Sequence, residues 1–295
     1  MPNTHDACLS LPVNAWNAQA NEALRAQAVS ALEQGKILLL PQLNFVLDKD
    51  EQSFLRPDCV GKSKSVKYSL AQDRMWSAGV ADQDSQVLKN MLRRFTKSSV
   101  SLISSLFPGY VTSLIIGNTS FRPVEAQDRV QSKRHDDRLL HVDAFPSRPM
   151  QGKRILRVFS NVNPAGKPRH WRAGEPFTKV VEKFMPRIKK PLPGSAALLH
   201  ALKITKQKRS LYDHYMLHIH DRMKLDDHYQ ASVPYEDVLF PPGSTWIVYS
   251  DQVSHAAMSG QYMMEQTFTL PVAAMNDPAT SPLKVLEGFA KKALV

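Results

Sequence analysis

Two histidines and one aspartate are the residues whose types and spacing could bind a metal. His141 and Asp143 are separated by one residue, and His255 follows far downstream. In an extended segment the side chains at positions i and i+2 project to the same side, so His141 and Asp143 can reach one metal ion while Val142 faces the core. Two histidines and one carboxylate can hold iron(II) on one face and leave other positions open for a cosubstrate and O2. The pattern therefore predicts a non-haem iron(II) site.

Other histidines offer alternative metal sites. His135 also begins an H-x-D sequence, but charged residues surround it without an apolar flank, which favours a polar loop. A second cluster contains several histidines and two aspartates: His214, His218, His220, His228, Asp213 and Asp221. His214 and His218 would share one face of a helix, as zinc ligands often do. Neither an H-E-x-x-H sequence nor a nearby cysteine completes a zinc pattern, so this cluster is the weaker alternative.

Basic residues after the H-x-D sequence are candidates for binding an anionic cosubstrate. Dioxygenases that use 2-oxoglutarate bind its keto acid at the metal and its distal carboxylate at a basic residue, in many cases an arginine shortly after the distal histidine. This sequence has Glu265, Gln266 and Thr267 there, so that arginine is absent. The strand after the H-x-D sequence offers Arg157 first and Arg154 second. Arg157 lies in an apolar stretch, where a buried charge needs a partner, and a structural ion pair is its alternative role. We also take Thr267 as a candidate cosubstrate contact.

Composition and charge limit the cellular setting. The chain has 295 residues, 43% of them apolar, with a net charge of +11 and a pI near 9.6. No apolar run approaches the length of a membrane span, the N-terminal residues lack a secretory signal pattern, and two cysteines are too few for a disulfide framework. These features predict a cytoplasmic protein with anionic partners. Because few aromatic residues are interleaved with the basic clusters, we expect no nucleic acid partner.

The periodicity of apolar residues predicts an α+β, mainly β fold. Helical spacing marks residues 14–34, 85–106, an insertion over about 195–229 and a C-terminal helix over 281–295. Apolar or alternating runs predict strands over 37–40, 111–121, 139–145, 153–162, 245–249 and 263–270. We expect one domain over 1–295, with a helical and mixed part at 1–110 and the β core at 111–270.

Three stretches of the chain resemble the Kdo hydroxylases, iron(II)/2-oxoglutarate dioxygenases that act on 3-deoxy-D-manno-oct-2-ulosonic acid (Kdo). They are residues 141–149 (HVDAFPSRP), residues 157–164 together with 168–171, and residues 250–255 (SDQVSH). The resemblance extends over most of the chain. It implies a double-stranded β-helix, a cupin-like jelly-roll core with flanking and inserted helices. It also implies iron at His141, Asp143 and His255.

The resemblance implies a reaction and a substrate as well. Oxidative decarboxylation of 2-oxoglutarate, which releases succinate and CO2, is coupled to hydroxylation of Kdo at carbon 3 by O2, and we expect ascorbate to stimulate turnover. The implied acceptor is Kdo–lipid A, an anionic glycolipid of the cytoplasmic leaflet. We therefore expect a protein that is peripheral to the cytoplasmic face of the inner membrane. Four basic residues are candidates for binding the anions of the acceptor: Arg148, Lys153, Arg169 and Arg172.

Two other functions fit the same residues. The first is a 2-oxoglutarate dioxygenase that acts on another anionic substrate, such as a nucleic acid or a protein. The second is a non-enzymatic β-sandwich binding module in which the His141 and Asp143 pair is incidental. The first shares the metal site and differs in the substrate groove, whereas the second requires no iron.

Overall fold

Two β-sheets face each other in the computed structural model, which describes residues 7–61, 63–127 and 131–295. The strands are β1 (Cys8–Ser10), β2 (Ile37–Leu40), β3 (Val66–Ser69), β4 (Arg74–Trp76), β5 (Ile115–Arg122), β6 (Arg154–Asn161), β7 (Arg169–Ala173), β8 (Glu236–Phe240), β9 (Thr245–Tyr249), β10 (His255–Ser259) and β11 (Met263–Leu270). The larger sheet has the order β1-β2-β9-β6-β11-β5-β3-β4, and the smaller sheet has the order β10-β7-β8. This pair of sheets with added helices confirms the predicted jelly-roll class.

Seven helices complete the described part of the chain. They are α1 (Glu22–Glu33), α2 (Asp82–Leu106), α3 (Phe177–Phe184), α4 (Ser195–Ala201), α5 (Leu211–Leu225), α6 (Asp227–Ser232) and α7 (Pro282–Ala290). Local sequence sets several of their ends. Asn21 caps α1 by accepting a hydrogen bond from the Leu24 amide, and Ser210 and Asp213 form a reciprocal capping box at the start of α5. None of the helices in the described ranges is long and apolar enough to cross a membrane.

The larger sheet is covered on both faces. Helix α2 packs its apolar stripe against β5, β11 and β3, and α1 packs nearby against β2 and β9. The opposite face meets the smaller sheet through an aromatic core in which Phe240 stacks on Trp246 at 4.0 Å and Trp171 meets Phe159 edge-on at 5.2 Å. Every residue of the central strand β6 is therefore buried. This explains why its sequence is an apolar run rather than an alternating one.

Some elements differ from the sequence-based expectation. The N-terminal part contributes β1 to β4, half of the strands of the larger sheet, although its three- and four-residue strands carry too little periodicity to predict most of them. The helical insertion between β7 and β8 begins before residue 195, because α3 belongs to it. Residues 139–145, predicted as a strand, form only an isolated bridge at His141. Residues 1–6, on which the expectation of no signal sequence rests, lie outside the described residues.

Candidate metal centre

The three candidate ligands come together where the segment 139–145 meets the start of β10. The His141 amide donates to the His255 carbonyl at 3.0 Å, and the His255 amide donates to the His141 carbonyl at 2.9 Å. The Asp143 amide donates to the Ser250 carbonyl at 2.8 Å. One potential ligand atom from each of the three side chains lies within 4.8 Å of the others. Backbone pairing, rather than a regular strand, thus holds the H-x-D sequence against the distal histidine.

Hydrogen bonds to the backbone orient both imidazoles. His141 Nδ1 donates to the Leu139 carbonyl at 2.7 Å, and His255 Nδ1 donates to the Val253 carbonyl at 2.8 Å. A carbonyl oxygen only accepts, so this tautomer leaves the Nε2 lone pair of each ring available for a metal. Burial lowers the pKa of His141 well below its usual value and also lowers the pKa of His255. Both rings are consequently neutral, as metal ligands must be.

Asp143 begins a chain of alternating charges. Its Oδ2 lies 2.9 Å from Arg157 Nη2, while Arg157 Nη1 donates to Glu265 at 2.8 Å. Glu265 in turn accepts from Arg122 Nε at 2.7 Å. Burial opposes ionisation of Asp143, but the Arg157 guanidinium holds the pKa of its carboxyl below the usual range. Two neutral imidazoles and one ionised carboxylate are a donor set that fits iron(II).

Helix α5 brings two further side chains to the site. The His220 ring lies 5.4 Å from the His141 ring and perpendicular to it, and its Nδ1 lies 2.9 Å from Asp221. Lys224, one turn later, is buried, donates to the Arg134 carbonyl at 3.3 Å, and has its pKa lowered by burial. The sequence signal was the i, i+4 spacing of these two residues on one helix face. The histidine pattern alone predicts that His220 belongs to a separate zinc cluster, whereas the structure places it beside His141.

Two other histidines of that cluster, His214 and His218, make their contacts away from the three candidate ligands. The rings of His214 and His218 contact each other at 4.4 Å, and His214 Nε2 lies 2.8 Å from the Lys189 carbonyl. Within residues 7–61, 63–127 and 131–295, the cluster does not assemble a second group of metal ligands. The expected alternative site at this helix is therefore not supported.

Gln230 on α6 is a positioning residue that the sequence analysis missed. Its amide oxygen accepts from the Leu140 amide at 2.9 Å, and its amide nitrogen donates to the Leu140 carbonyl at 2.9 Å. The side chain thereby makes the two hydrogen bonds that a neighbouring strand would make to Leu140, the residue before His141. A glutamine on a short helix carries no sequence signal for this role, because the contact depends on how the helix packs.

The candidate cosubstrate residues lie on two different faces of β6. Arg157 and Thr267 are directly opposite each other in the pairing of β6 with β11, and both face the metal ligands. Arg154 is three residues from Arg157 and therefore projects to the other face. There it is fully buried, bonds to Asp251 at 2.9 Å and covers the Tyr249 ring at 3.7 Å. This geometry does not support the expected cosubstrate role of Arg154, because its side chain lies on the face of the larger sheet opposite to the metal ligands.

The four candidate acceptor residues are also separated. Arg169 points between the sheets and donates to the Gly260 carbonyl at 2.6 Å. Arg172 lies on the outer face of the smaller sheet, 4.2 Å from the Tyr235 ring and 3.7 Å from Asp237. This position does not support its expected contact with the acceptor, because the alternation of β7 turns the side chain away from the metal ligands. Arg148 lies near Lys67 in the loop after Asp143, and Lys153 is half-buried in the turn before β6.

Comparisons with known proteins identify the family of this chain. The family described as 3-deoxy-D-manno-oct-2-ulosonic acid (Kdo) hydroxylase matches residues 15–293. The crystal structure of the Kdo hydroxylase KdoO with alphaketoglutarate and Fe(III) is 45% identical, covers 98% of this chain and 97% of that chain, and has a TM-score of 0.95. The cobalt(II) complex of KdoO has the same identity and coverage and a TM-score of 0.96. A search of curated proteins gave no match. The chain belongs to the Kdo hydroxylase family.

Proposed function

We propose that this protein is an iron(II)/2-oxoglutarate-dependent dioxygenase that hydroxylates Kdo at carbon 3 within Kdo–lipid A. The observation that carries the proposal is the preformed set of His141, Asp143 and His255, with both Nε2 atoms available, in a member of the Kdo hydroxylase family. A non-enzymatic binding module would not need such a set of metal ligands, so this alternative is not favoured. When bound, iron supplies the activation of O2 and the decarboxylation of 2-oxoglutarate.

Charge balance supports a dianionic cosubstrate at this site. Asp143 and Glu265 contribute two negative charges, and Arg122 and Arg157 contribute two positive charges, so the four residues are neutral together. A divalent cation adds positive charge in a buried place, where unbalanced charge is unfavourable. The two carboxylates of 2-oxoglutarate restore the balance. We infer that Arg157 and Thr267 orient the distal carboxylate, with Glu265 holding the Arg157 guanidinium in place.

A cluster of positive charge beside the metal ligands supports an anionic acceptor. Lys67 on β3 is opposite Ser120, which is opposite Glu265, so Lys67 shares the face of the larger sheet that carries the metal-centre residues. Burial and the Arg122 guanidinium lower the pKa of the Lys67 amine, and Lys64 and Arg148 add further positive charge nearby. Among the described residues, no carboxylate lies within ion-pair distance of this amine, since Glu265 pairs with the arginines. The Kdo carboxylate would compensate this charge, and Arg148, Lys153 and Arg169 remain candidates for the other anions.

We infer that the protein acts at the cytoplasmic face of the inner membrane, where the proposed acceptor would reside. The net charge of +11 favours binding to a negatively charged leaflet, which Kdo–lipid A would reinforce. We infer a peripheral association with that surface and no nucleic acid partner.

The direct test incubates iron-loaded protein with 2-oxoglutarate, ascorbate, O2 and Kdo–lipid A, and measures the mass of the lipid. We expect a gain of one oxygen atom that depends on 2-oxoglutarate and disappears in His141→Ala. Succinate without a mass gain would retain the dioxygenase and reject this acceptor, which leaves another anionic substrate. If neither succinate nor hydroxylated lipid were formed, the proposed function would be overturned.

A further inference from the structure

One segment of the helical insertion concentrates the positive charge of the chain. Between Glu182 and Asp213 the sequence has no acidic residue and eight basic ones, namely Lys183, Arg187, Lys189, Lys190, Lys203, Lys206, Lys208 and Arg209. The net charge of the whole chain is +11, so this short stretch carries most of the excess. A one-sign cluster of this density favours a negatively charged partner over a solvated surface.

The same segment exposes large apolar side chains. Leu192 is 79% exposed, Leu198 60%, Leu202 61% and Ile204 53%. Helix α4, which carries Leu198, has no buried residue. Leu198 and Leu202 are four residues apart and lie on one face of the helical turn. Single exposed apolar side chains are ordinary, but four within thirteen residues, interspersed with lysines, indicate a surface that binds a partner.

Hydrogen bonds hold this segment beside the metal centre. The Lys206 amide donates to the Ser147 carbonyl at 2.9 Å, and Arg209 donates to the Pro146 carbonyl at 2.6 Å. The Gln151 side chain donates to the Lys208 carbonyl. All three contacts reach the loop that follows the ligand Asp143. Any partner that binds this segment would therefore lie close to the loop that follows Asp143.

We propose that residues 189–209, which we call the docking segment, bind an anionic bilayer, with Leu192, Leu198, Leu202 and Ile204 inserted among the lipid chains. The lysines would contact lipid phosphates while their aliphatic stems cover apolar surface. Composition favours a bilayer over a protein partner, because the segment has five lysines and no Phe, Tyr or Trp. Protein interfaces are depleted in lysine and enriched in aromatic residues. The inference deepens the proposed function, since it states how the enzyme reaches an acceptor that resides in a leaflet.

The test measures co-sedimentation with vesicles of phosphatidylglycerol and phosphatidylcholine, and with vesicles of phosphatidylcholine alone. We expect binding to the anionic vesicles that weakens with salt. The double variant Leu198→Asp with Leu202→Asp should bind them roughly tenfold more weakly or worse, because it places charge at the inserted face. The matched control is Leu239→Asp, which alters a leucine that is 56% exposed on β8, outside the docking segment, and should bind as the wild type does. The double variant Lys203→Glu with Lys206→Glu should bind anionic vesicles no better than vesicles of phosphatidylcholine alone.

A second measurement separates this inference from the proposed function. Hydroxylation of detergent-dispersed Kdo–lipid A should be unchanged in the Leu198→Asp, Leu202→Asp variant, because no metal or cosubstrate residue is altered. If the wild-type protein did not bind anionic vesicles, or if the variant bound them equally well, the proposed role of the docking segment would be overturned. The proposed enzymatic function would not be affected. Concentration-dependent self-association that the variant abolishes, without vesicle binding, would instead assign the face to a second copy of this chain.

Discussion

His141 and His255 exchange backbone hydrogen bonds in both directions, at 3.0 and 2.9 Å, and their rings lie 4.6 Å apart. Two candidate metal ligands from distant parts of the chain are thus aligned by their own main chains. These hydrogen bonds join amides and carbonyls, so the main chain aligns the two histidines without using their imidazole rings.

We expect His141→Ala, Asp143→Ala and His255→Ala each to abolish turnover while the fold persists. Each change removes one of three ligands but retains the backbone hydrogen bonds that align the segment. Iron content per chain and succinate formation measure the loss, and circular dichroism of the metal-free protein measures the fold. Full activity in any one variant would remove that residue from the ligand set. Loss of the native spectrum would show that the side chain is structural.

Arg157→Ala and Arg154→Ala should affect different properties, the first cosubstrate binding and the second the stability of the fold. Arg157→Ala is expected to raise the KM for 2-oxoglutarate by roughly tenfold or more, because a charged hydrogen bond to a carboxylate is lost. Arg154→Ala should instead reduce the free energy of unfolding by about 3–5 kcal/mol, since it leaves Asp251 buried without its partner. Steady-state kinetics and urea denaturation distinguish them. The opposite assignment of the two effects would return the cosubstrate role to Arg154.

Gln230→Ala should weaken iron binding without removing a ligand. The side chain holds both polar backbone atoms of Leu140, and its loss frees the segment that carries His141. We expect a fall of about tenfold in iron affinity, comparable to changes in groups that orient metal ligands. Titration of the metal-free protein with iron(II) under anaerobic conditions gives the value. Ser232→Ala is the control and should match the wild type, because the Ser232 hydroxyl on the same helix donates to the His228 carbonyl and not to the segment that carries His141.

Lys67→Ala should raise the KM for the acceptor by about tenfold and leave the KM for 2-oxoglutarate unchanged. The reason is that its amine is a positive group on the same sheet face as Glu265, with no carboxylate of the described residues within ion-pair distance. Lys67→Arg should restore most of the acceptor binding, because it keeps the charge. Separate titrations of the two substrates provide the measurement. An equal effect on both constants would indicate a general disturbance of the Arg122 and Glu265 pair.

The elements with the strongest local periodicity were predictable from sequence. The stripe of α2 and the apolar runs of β6 and β11 appear where expected, because spacing along the chain alone determines which residues can share a face. The H-x-D spacing likewise predicts that His141 and Asp143 can reach one ion. The distal histidine could be proposed for chemical reasons, since few residue types complete such a ligand set.

The sequence by itself therefore determined the ligand types, the main helices and strands and the excess of positive charge. Only the tertiary structure decided that Arg157 faces the metal ligands and Arg154 the helical core, because the register of β6 with its neighbours sets the direction of each side chain. It also decided that His220 and Lys224 approach His141, since helix packing joins residues that are distant in sequence. Local preferences are encoded in neighbouring residues, whereas the partner of a buried charge is chosen by contacts between distant ones.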